Sequence, residues 1–207
     1  MGDSTLNIIV IDDNLKKTDP LLVQLQLNFK NANIILKDNA KDGLEYILDN
    51  LNSKMIVLLD YDLGAGEPNG TDIFLKIREK TALLYVIIIT AKLIDEIPNQ
   101  ELVTYINKDA LAVVDKTISL EDKIELIKEA IHTLDIRVDC VLEQWINKHT
   151  EEEQKEPFLT SSSGKEQTLA SILTEIRQRT EFGKTLERNI LLLAIDLLTR
   201  GKKKIND

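Results

Sequence analysis

The sequence predicts an α/β fold with a five-stranded, parallel, doubly wound sheet, and three observations lead to this prediction. Five short apolar runs are bounded by polar or turn residues, as buried parallel strands are. They lie near 7–12, 33–37, 54–60, 84–90 and 110–115. Helical patterns separate the runs, and repeated strand–helix alternation implies right-handed crossovers with helices on both faces. Polar residues follow four of the runs, at the sheet edge where ligands usually bind.

The predicted helices begin at local sequence signals. Asp19 and Pro20 form an N-cap followed by proline at the first helical position, so the first helix is expected to start there and to end near Asn31. Three further helices are expected at roughly 39–51, from Thr71-Asp72 onward, and at 97–107. Together with a fifth helix beginning near Leu120, they complete the alternation.

Composition fits one α/β domain with a smaller appendage. The chain has 207 residues, of which 43% are hydrophobic, so it can bury a substantial core. Its net charge of −9 argues against a nucleic-acid-binding protein, which usually has a basic footprint. Residues 1–136 hold 14 Lys and Arg against 23 Asp and Glu, whereas residues 137–207 hold 12 of each. The acidic excess therefore lies in the predicted sheet region, where it is consistent with a cation site.

Cysteine content and hydropathy favour a reducing, aqueous compartment. The single Cys140 cannot form an intramolecular disulfide. No apolar run approaches the length needed to span a bilayer, and the polar N-terminal residues are not typical of a signal peptide. We therefore expect a cytoplasmic protein with no membrane partner.

From Leu120 onward the pattern changes to an apolar seam that advances in steps of three and four residues, typical of a heptad repeat. The seam consists of Leu120, Ile124, Ile127, Ile131, Leu134, Val138, Val141 and Trp145. A sheet would bury its first half. Because no sheet remains to bury the second half, we expect the fifth helix to extend over 136–150 and to pair with a second copy.

The C-terminal region is predicted to contain a linker and a helical hairpin. Residues 151–166 are polar and include Pro157, three serines and Gly164, a composition typical of a linker. Two amphipathic helices follow, near 167–180 and 182–200. A hairpin over 167–207 is too small for an independent core, so we expect it to serve interaction or oligomerisation, with a homodimer as the favoured product.

DNA binding by the C-terminal region is disfavoured. Residues 164–207 hold 9 Lys and Arg against 6 Asp and Glu. However, the region lacks the three-helix arrangement of a helix-turn-helix domain, and its helices are too apolar to enter a groove. Lysines after a helix C-terminus more often complement the helix dipole.

The polar residues after the strands form a coherent phosphoryl-transfer set. Asp12 and Asp13 can hold Mg²⁺, which prefers oxygen ligands. The Asp60 carboxylate can accept a phosphoryl group to give an acyl phosphate. Thr90 would donate a hydrogen bond and Lys116 would offset charge on the phosphoryl oxygens. Aspartate after a strand also commonly caps a helix, so the prediction depends on the joint pattern.

Over about residues 6–135 the chain resembles the receiver domain of two-component response regulators. The matching motifs are Val10-Ile11-Asp12-Asp13, Leu58-Leu59-Asp60-Tyr61-Asp62-Leu63, Asn69-Gly70, Ile89-Thr90-Ala91 and Lys116. This resemblance implies a receiver, flavodoxin-like fold for residues 1–135.

The resemblance also implies roles for individual residues. Asp60 would be the phosphoacceptor, and Mg²⁺ would be bound by Asp13, Asp60 and the backbone carbonyl of Asp62, with Asp12 alongside. The phosphoryl donor would be a sensor histidine kinase or a phosphotransfer protein. Thr90 would report the phosphoryl group to the face around the fourth helix, fifth strand and fifth helix. Such a chain is not an enzyme, apart from its own phosphorylation and dephosphorylation.

The sequence departs from the family pattern at four places. Gly64 replaces the usual proline, and the loop that follows it is longer than in the family. Val113 replaces the usual aromatic switch residue, and Thr117 replaces the proline that commonly follows the lysine. The interval from Thr90 to Lys116 is also longer than typical. The reactive residues are therefore intact, while the conformational relay is altered.

Two alternatives stay open at this point. A haloacid-dehalogenase-like phosphatase has an Asp-x-Asp nucleophile motif, which Asp60-Tyr61-Asp62 matches, but that family's second acidic pair lies downstream rather than at Asp12-Asp13. A pseudo-receiver would have the same fold and signal without phosphorylation. His132 and His149 are the only histidines, and neither is expected to be a phosphodonor.

Overall fold

The computed structural model describes residues 6–64, 66–110, 112–160, 164 and 166–202, and the chain divides into two compact units, Met1–Arg137 and Val138–Asp207. The first unit contains a five-stranded parallel sheet. Its strands are β1 (Asn7–Ile11), β2 (Asn33–Lys37), β3 (Met55–Asp60), β4 (Tyr85–Thr90) and β5 (Ala112–Asp115). Its helices are α1 (Pro20–Asn28), α2 (Ala40–Asp49), α3 (Gly70–Lys80), α4 (Asn99–Asn107) and α5 (Leu120–Ile136).

The strand order β2-β1-β3-β4-β5 confirms the predicted doubly wound sheet. Every residue of β1, β3 and β4 is buried, which explains why these strands are apolar along their whole length. In the register, Asp60 pairs with Ile89 and Thr90 pairs with Asp115. The polar residues that follow the strands therefore meet at one edge of the sheet.

Side-chain caps fix where the helices begin. Asp19 accepts a hydrogen bond from the Leu21 N–H at 2.9 Å, with Pro20 at the first helical position, as predicted. Asn69 accepts from the Asp72 N–H at 2.9 Å, so α3 begins slightly before the predicted Thr71. α1 ends at Asn28, earlier than the predicted Asn31, because its last turn closes on Phe29.

The prediction of one continuous fifth helix through 136–150 is wrong. α5 ends at Ile136, Arg137 has extended backbone with φ −70° and ψ 128°, and a new helix, α6 (Val138–Ile146), follows. Neither proline nor glycine marks this break, but β-branched residues flank Arg137 and favour helix less than straight side chains do. The Arg137 guanidinium lies over the Tyr85 ring at 5.3 Å from its centroid.

The break also changes which face of α6 is buried. Cys140 and Ile146 are buried, whereas Val141 and Trp145 of the predicted seam are 47% and 42% exposed. The heptad seam therefore describes α5, whose Ile124 and Ile127 are buried, but it does not continue through α6.

The second unit contains more structure than a linker and a hairpin. Two antiparallel strands, β6 (Pro157–Thr160) and β7 (Glu166–Thr168), lie within and just after the segment 151–166 that was predicted as a linker. The strand pair was not predicted, because the segment is rich in proline and serine and the residues of the strands are largely exposed. Two helices follow as predicted, α7 (Leu169–Arg177) and α8 (Glu181–Lys202). Glu143 of α6 and Arg177 of α7 form an ion pair at 2.7 Å.

Candidate functional site

Three carboxylates converge at the edge of the sheet. Asp12 and Asp13 follow β1, and Asp60 is the last residue of β3. One carboxylate oxygen from each residue lies within 4.8 Å of the other two. Asp12 and Asp60 are buried, at 5% and 3% exposed, while Asp13 faces solvent. The structure thus brings together the three acids that the sequence singled out.

Lys116 connects two of these acids. Its Nζ lies 2.6 Å from Oδ2 of Asp60 and 2.9 Å from Oδ2 of Asp12. The lysine is held from its backbone, because the Lys116 N–H donates to the Thr90 carbonyl at 2.6 Å and the Lys116 carbonyl accepts from Lys123 Nζ at 2.7 Å. The ammonium therefore lies between the carboxylates of two neighbouring strand ends.

Burial and nearby charges shift the pKa values of Asp60 and Lys116. Burial raises the pKa of the Asp60 carboxyl; the Lys116 hydrogen bond opposes the rise and the nearby Asp12 charge adds to it. For Lys116, burial lowers the pKa of the ammonium, but the hydrogen bonds to Asp60 and Asp12 outweigh burial and leave it raised. Two acids therefore share one protein cation, and a second cation would relieve the remaining repulsion.

Backbone and amide groups orient the carboxylates. Oδ1 of Asp60 accepts from the Asp62 N–H at 3.3 Å, and Oδ1 of Asp12 accepts from the Asn14 N–H at 2.9 Å. The Asn14 side-chain amide donates to Oδ1 of Asp13 at 2.6 Å. Sequence reasoning missed Asn14, although its position directly after the acidic pair was a signal. The Asp62 side chain is exposed, and the role of its carbonyl as a metal ligand stays a prediction.

Thr90 lies at the predicted strand end and is fully buried. Its Oγ1 accepts a hydrogen bond from the Lys92 N–H at 2.9 Å, and its register position is one residue beyond the partner of Asp60. Val113 lies on β5 and is half-buried against the core. Thr117 donates its N–H to Oδ1 of Asp115 at 2.7 Å, so that aspartate organises the turn after β5.

A cavity of about 210 Å³ lies beside the acidic cluster. Asp12, Asp60 and Lys116 contribute to its lining, together with Asp19 and Lys123. Burial lowers the pKa of Lys123, and the carboxylates of Asp19 and Asp115 oppose that effect. The lining thus combines two lysines with the carboxylates of Asp12, Asp19 and Asp60. Lys123 was not identified from sequence, because the heptad pattern of α5 gives it no special position.

Two glycines shape the loop that borders the site. Gly64 has a φ of +91°, and a Cβ built on it would lie 2.8 Å from Oδ2 of Asp13. A Cβ on Gly70 would lie 2.9 Å from the Tyr61 Cα and closer still to the Asp60 carbonyl oxygen. The first turn of α3 therefore packs directly on the end of β3, and no larger residue fits at Gly70 without backbone movement.

A polar network connects this edge to α4. The hydroxyl of Tyr61, next to Asp60, donates to Glu101 at 3.4 Å, and Thr71 hydrogen-bonds to both Glu101 and Tyr105. Burial raises the pKa of Tyr105 to about 12. Lys92 Nζ lies 4.6 Å from the centroid of the Tyr61 ring. This network was not predicted from the sequence, because its members come from separate segments and α4 has a weak pattern.

The cluster fits a hard divalent cation. All of its donor atoms are carboxylate oxygens, which Mg²⁺ prefers, and one of the three acids lies on the solvent side. Buried acids near one another are also the arrangement that a bound cation stabilises. Asp12, Asp13 and Asp60 are therefore the residues that would hold Mg²⁺.

Solved structures of response regulator receiver domains have folds similar to the first unit. A CheY-like receiver domain protein from Methanospirillum hungatei is 22% identical, with a TM-score of 0.51, over 64% of this chain and 98% of its own. A receiver domain protein from Clostridium thermocellum is also 22% identical, with a TM-score of 0.51, over 63% of this chain and 98% of its own. The first unit has the receiver fold. The receiver fold accounts for the sheet of β1 to β5.

The sequence comparisons add no family. No protein-family model matches the chain, and no curated protein matches it. Within the described residues, no helix has the length and hydropathy required to cross a membrane.

Proposed function

We propose that the first unit is a phosphorelay receiver that accepts a phosphoryl group on Asp60. The observation that carries the proposal is the position of Lys116 Nζ, 2.6 Å from Asp60 and 2.9 Å from Asp12, with Asp13 completing the acidic cluster. The donor would be a phosphohistidine on a sensor kinase or phosphotransfer protein. Asp12, Asp13 and Asp60 would hold Mg²⁺, and the Asp62 carbonyl would be a further ligand.

Phosphoryl transfer uses the Asp60 carboxylate as the nucleophile. A carboxylate oxygen forms the new O–P bond as the P–N bond to the donor imidazole breaks, and the electron pair of that bond leaves with the imidazole. Bound Mg²⁺ supplies positive charge that stabilises the phosphoryl oxygens. The Lys116 ammonium, already at Oδ2 of Asp60, is within reach of a phosphoryl oxygen on the same carboxylate. The net result is an acyl phosphate with its charge offset by the lysine.

Thr90 and Tyr61 would report the modification. The Thr90 hydroxyl can donate to a phosphoryl oxygen while it accepts from the Lys92 N–H. The Lys92 ammonium lies over Tyr61, whose hydroxyl contacts Glu101 on α4. A shift at Thr90 would therefore bias the Tyr61–Glu101 hydrogen bond and the position of α4. This route does not need an aromatic residue at the position of Val113.

The output would be a protein–protein contact rather than enzymatic turnover. The second unit would serve partner docking or self-association of the chain. The chain would catalyse only the formation and hydrolysis of its own acyl phosphate.

Incubation with acetyl phosphate and Mg²⁺, followed by intact mass measurement, tests the site. We expect one phosphoryl group per chain, none on Asp60→Asn, and unchanged uptake on the matched variant Asp62→Asn, because the Asp62 side chain is exposed. Phosphorylation of Asp60→Asn would overturn the assignment. Absence of uptake by the native chain would support a pseudo-receiver, and sustained hydrolysis of p-nitrophenyl phosphate would support a phosphatase.

A further inference from the structure

The second half of α8 exposes an unusual amount of hydrocarbon. Six aliphatic side chains within two and a half turns are between 45% and 71% exposed. They are Leu191, Leu192, Leu193, Ile195, Leu197 and Leu198, which we call the α8 apolar segment. Large exposed apolar patches on soluble proteins usually mark interaction sites.

The segment is apolar on more than one side of the helix. Leu191, Ile195 and Leu198 follow steps of four and three residues and so share one face. Leu193 and Leu197 lie on another face, which continues the half-buried Leu186 toward the C-terminus. A helix with apolar residues on all sides is normally buried in its functional state.

We propose that the α8 apolar segment binds the same segment of a second copy of the chain. Its exposed area is on the order of 600 Å² per chain, so burial of most of it in both copies would approach about 1,200 Å², the lower limit of stable specific interfaces. Composition supports a second copy rather than a transient partner, because permanent self-interfaces are more hydrophobic than transient ones.

The charges of α8 also favour self-association. The only acid within the segment's span, Asp196, forms an ion pair with Arg200 of the same helix at 2.7 Å. The segment therefore offers no unbalanced charge for recognition of an acidic or basic partner. Aliphatic side chains that pack against identical side chains need no such complementarity.

This association deepens the self-association proposed for the second unit and rests on α8 alone, because it needs neither Asp60 nor Mg²⁺. The full-length Asp60→Asn variant should associate as the native chain does. Failure of phosphoryl uptake would therefore leave the α8 contact intact, and failure of the α8 contact would leave phosphoryl uptake intact.

Size-exclusion chromatography with light scattering on the full-length protein tests the contact. The native chain should have the mass of two 23.5 kDa copies, and Leu191→Glu/Ile195→Glu/Leu198→Glu should have the mass of one. Glutamate is a good helix former and the three positions are exposed, so the variant should keep its fold. The matched variant Lys184→Glu/Thr185→Glu changes the charge of α8 equally at two exposed polar positions and should remain dimeric.

The dissociation constant of the triple glutamate variant should rise by at least about 100-fold. The reason is that each chain loses roughly half of a residue's burial at each of the three positions. Circular dichroism with the native spectrum would show that its helices are retained. A monomeric native chain at tens of micromolar would overturn the proposal, as would a triple variant that stays dimeric. A native monomer that co-sediments with phosphatidylcholine and phosphatidylglycerol vesicles would identify the segment as a membrane-binding surface instead.

Discussion

The acidic edge of the sheet and the α8 apolar segment depart from ordinary protein anatomy in opposite directions. At the edge, the charged residues Asp12 and Asp60 are buried. On α8, six leucine and isoleucine side chains face solvent. Buried charge and exposed hydrocarbon are both uncommon in a folded chain, so each marks a surface that has another task. Under the two proposals above, the acidic edge binds a small ion or anion and α8 binds a large apolar surface.

The largest effect is expected where the edge is most tightly packed. Gly70→Ala places a methyl group against the Asp60 and Tyr61 backbone and should lower the free energy of unfolding by about 3 kcal/mol. Gly66→Ala is the control: its Cβ would meet nothing within 4 Å, so only its φ of +90° costs energy, about 1 kcal/mol. Urea unfolding measures both. Equal losses would show that the edge is not closely packed and would weaken the contrast with α8.

A divalent cation should stabilise the acidic edge. Mg²⁺ at ten times its dissociation constant should raise the free energy of unfolding by about 1.4 kcal/mol, through preferential binding to the folded state. Asp13→Asn should remove most of that gain, because it deletes one of the clustered carboxylates and leaves the Lys116 ion pairs in place. Asp95→Asn, at an exposed acid outside the cluster, should keep it. Thermal denaturation with and without Mg²⁺ measures the difference, and an equal gain for both variants would argue against a specific site.

The hydrogen-bond network on α4 should contribute less to the free energy of unfolding than the acidic edge does. Tyr105→Phe removes one hydrogen bond to Thr71 and should cost about 1 kcal/mol at neutral pH. Because burial raises the pKa of Tyr105 to about 12, the folded chain keeps the phenolic proton after the unfolded chain has lost it near the ordinary pKa of 10.0. Stability from this group is therefore complete below pH 10 and declines between pH 10 and 12, by at most about 1.4 kcal/mol per pH unit.

The pH dependence of the free energy of unfolding shows whether Tyr105 is the group that titrates. Tyr105→Phe should flatten the decline in stability between pH 10 and 12 relative to the native chain, measured by urea unfolding at several pH values. Parallel curves for the two proteins would mean that Tyr105 is not the group that titrates.

The smallest loss of stability is expected for a substitution on α8, measured at protein concentrations too low for self-association. Leu198, at 71% exposed, loses little burial when it is shortened, so Leu198→Ala should change the stability of the dilute chain by no more than about 0.5 kcal/mol. The same substitution should weaken association at higher concentration. A large loss in the dilute chain would show that Leu198 is packed within its own unit, and the contrast with the edge would no longer hold.

Much of the acidic edge could be predicted from the sequence. The sheet, its order of elements and the convergence of Asp12, Asp13, Asp60 and Lys116 followed from apolar runs with polar ends, because burial of parallel strands imposes a one-dimensional pattern. Thr90 also lies at its predicted strand end. Their chemical roles stay predictions.

What the sequence did not predict depends on contacts between distant segments. Lys123, Glu101 and Tyr105 reach the site or its surroundings from α4 and α5, and no local pattern distinguishes them from other helix residues. The break at Arg137 was missed because the 3–4 periodicity of apolar residues continues through it. The β6–β7 pair was missed because its exposed strands lack the apolar alternation that reports burial.

The extended backbone at Arg137 has a consequence for how such a chain could arise and be redesigned. The Arg137 N–H still closes the last turn of α5 by donating to the Thr133 carbonyl, and the next residue already begins α6. A cut after Arg137 would leave this closing hydrogen bond of α5 in place. This position is therefore a natural joint for gene fusion, at which a different C-terminal module could be grafted onto the same N-terminal unit.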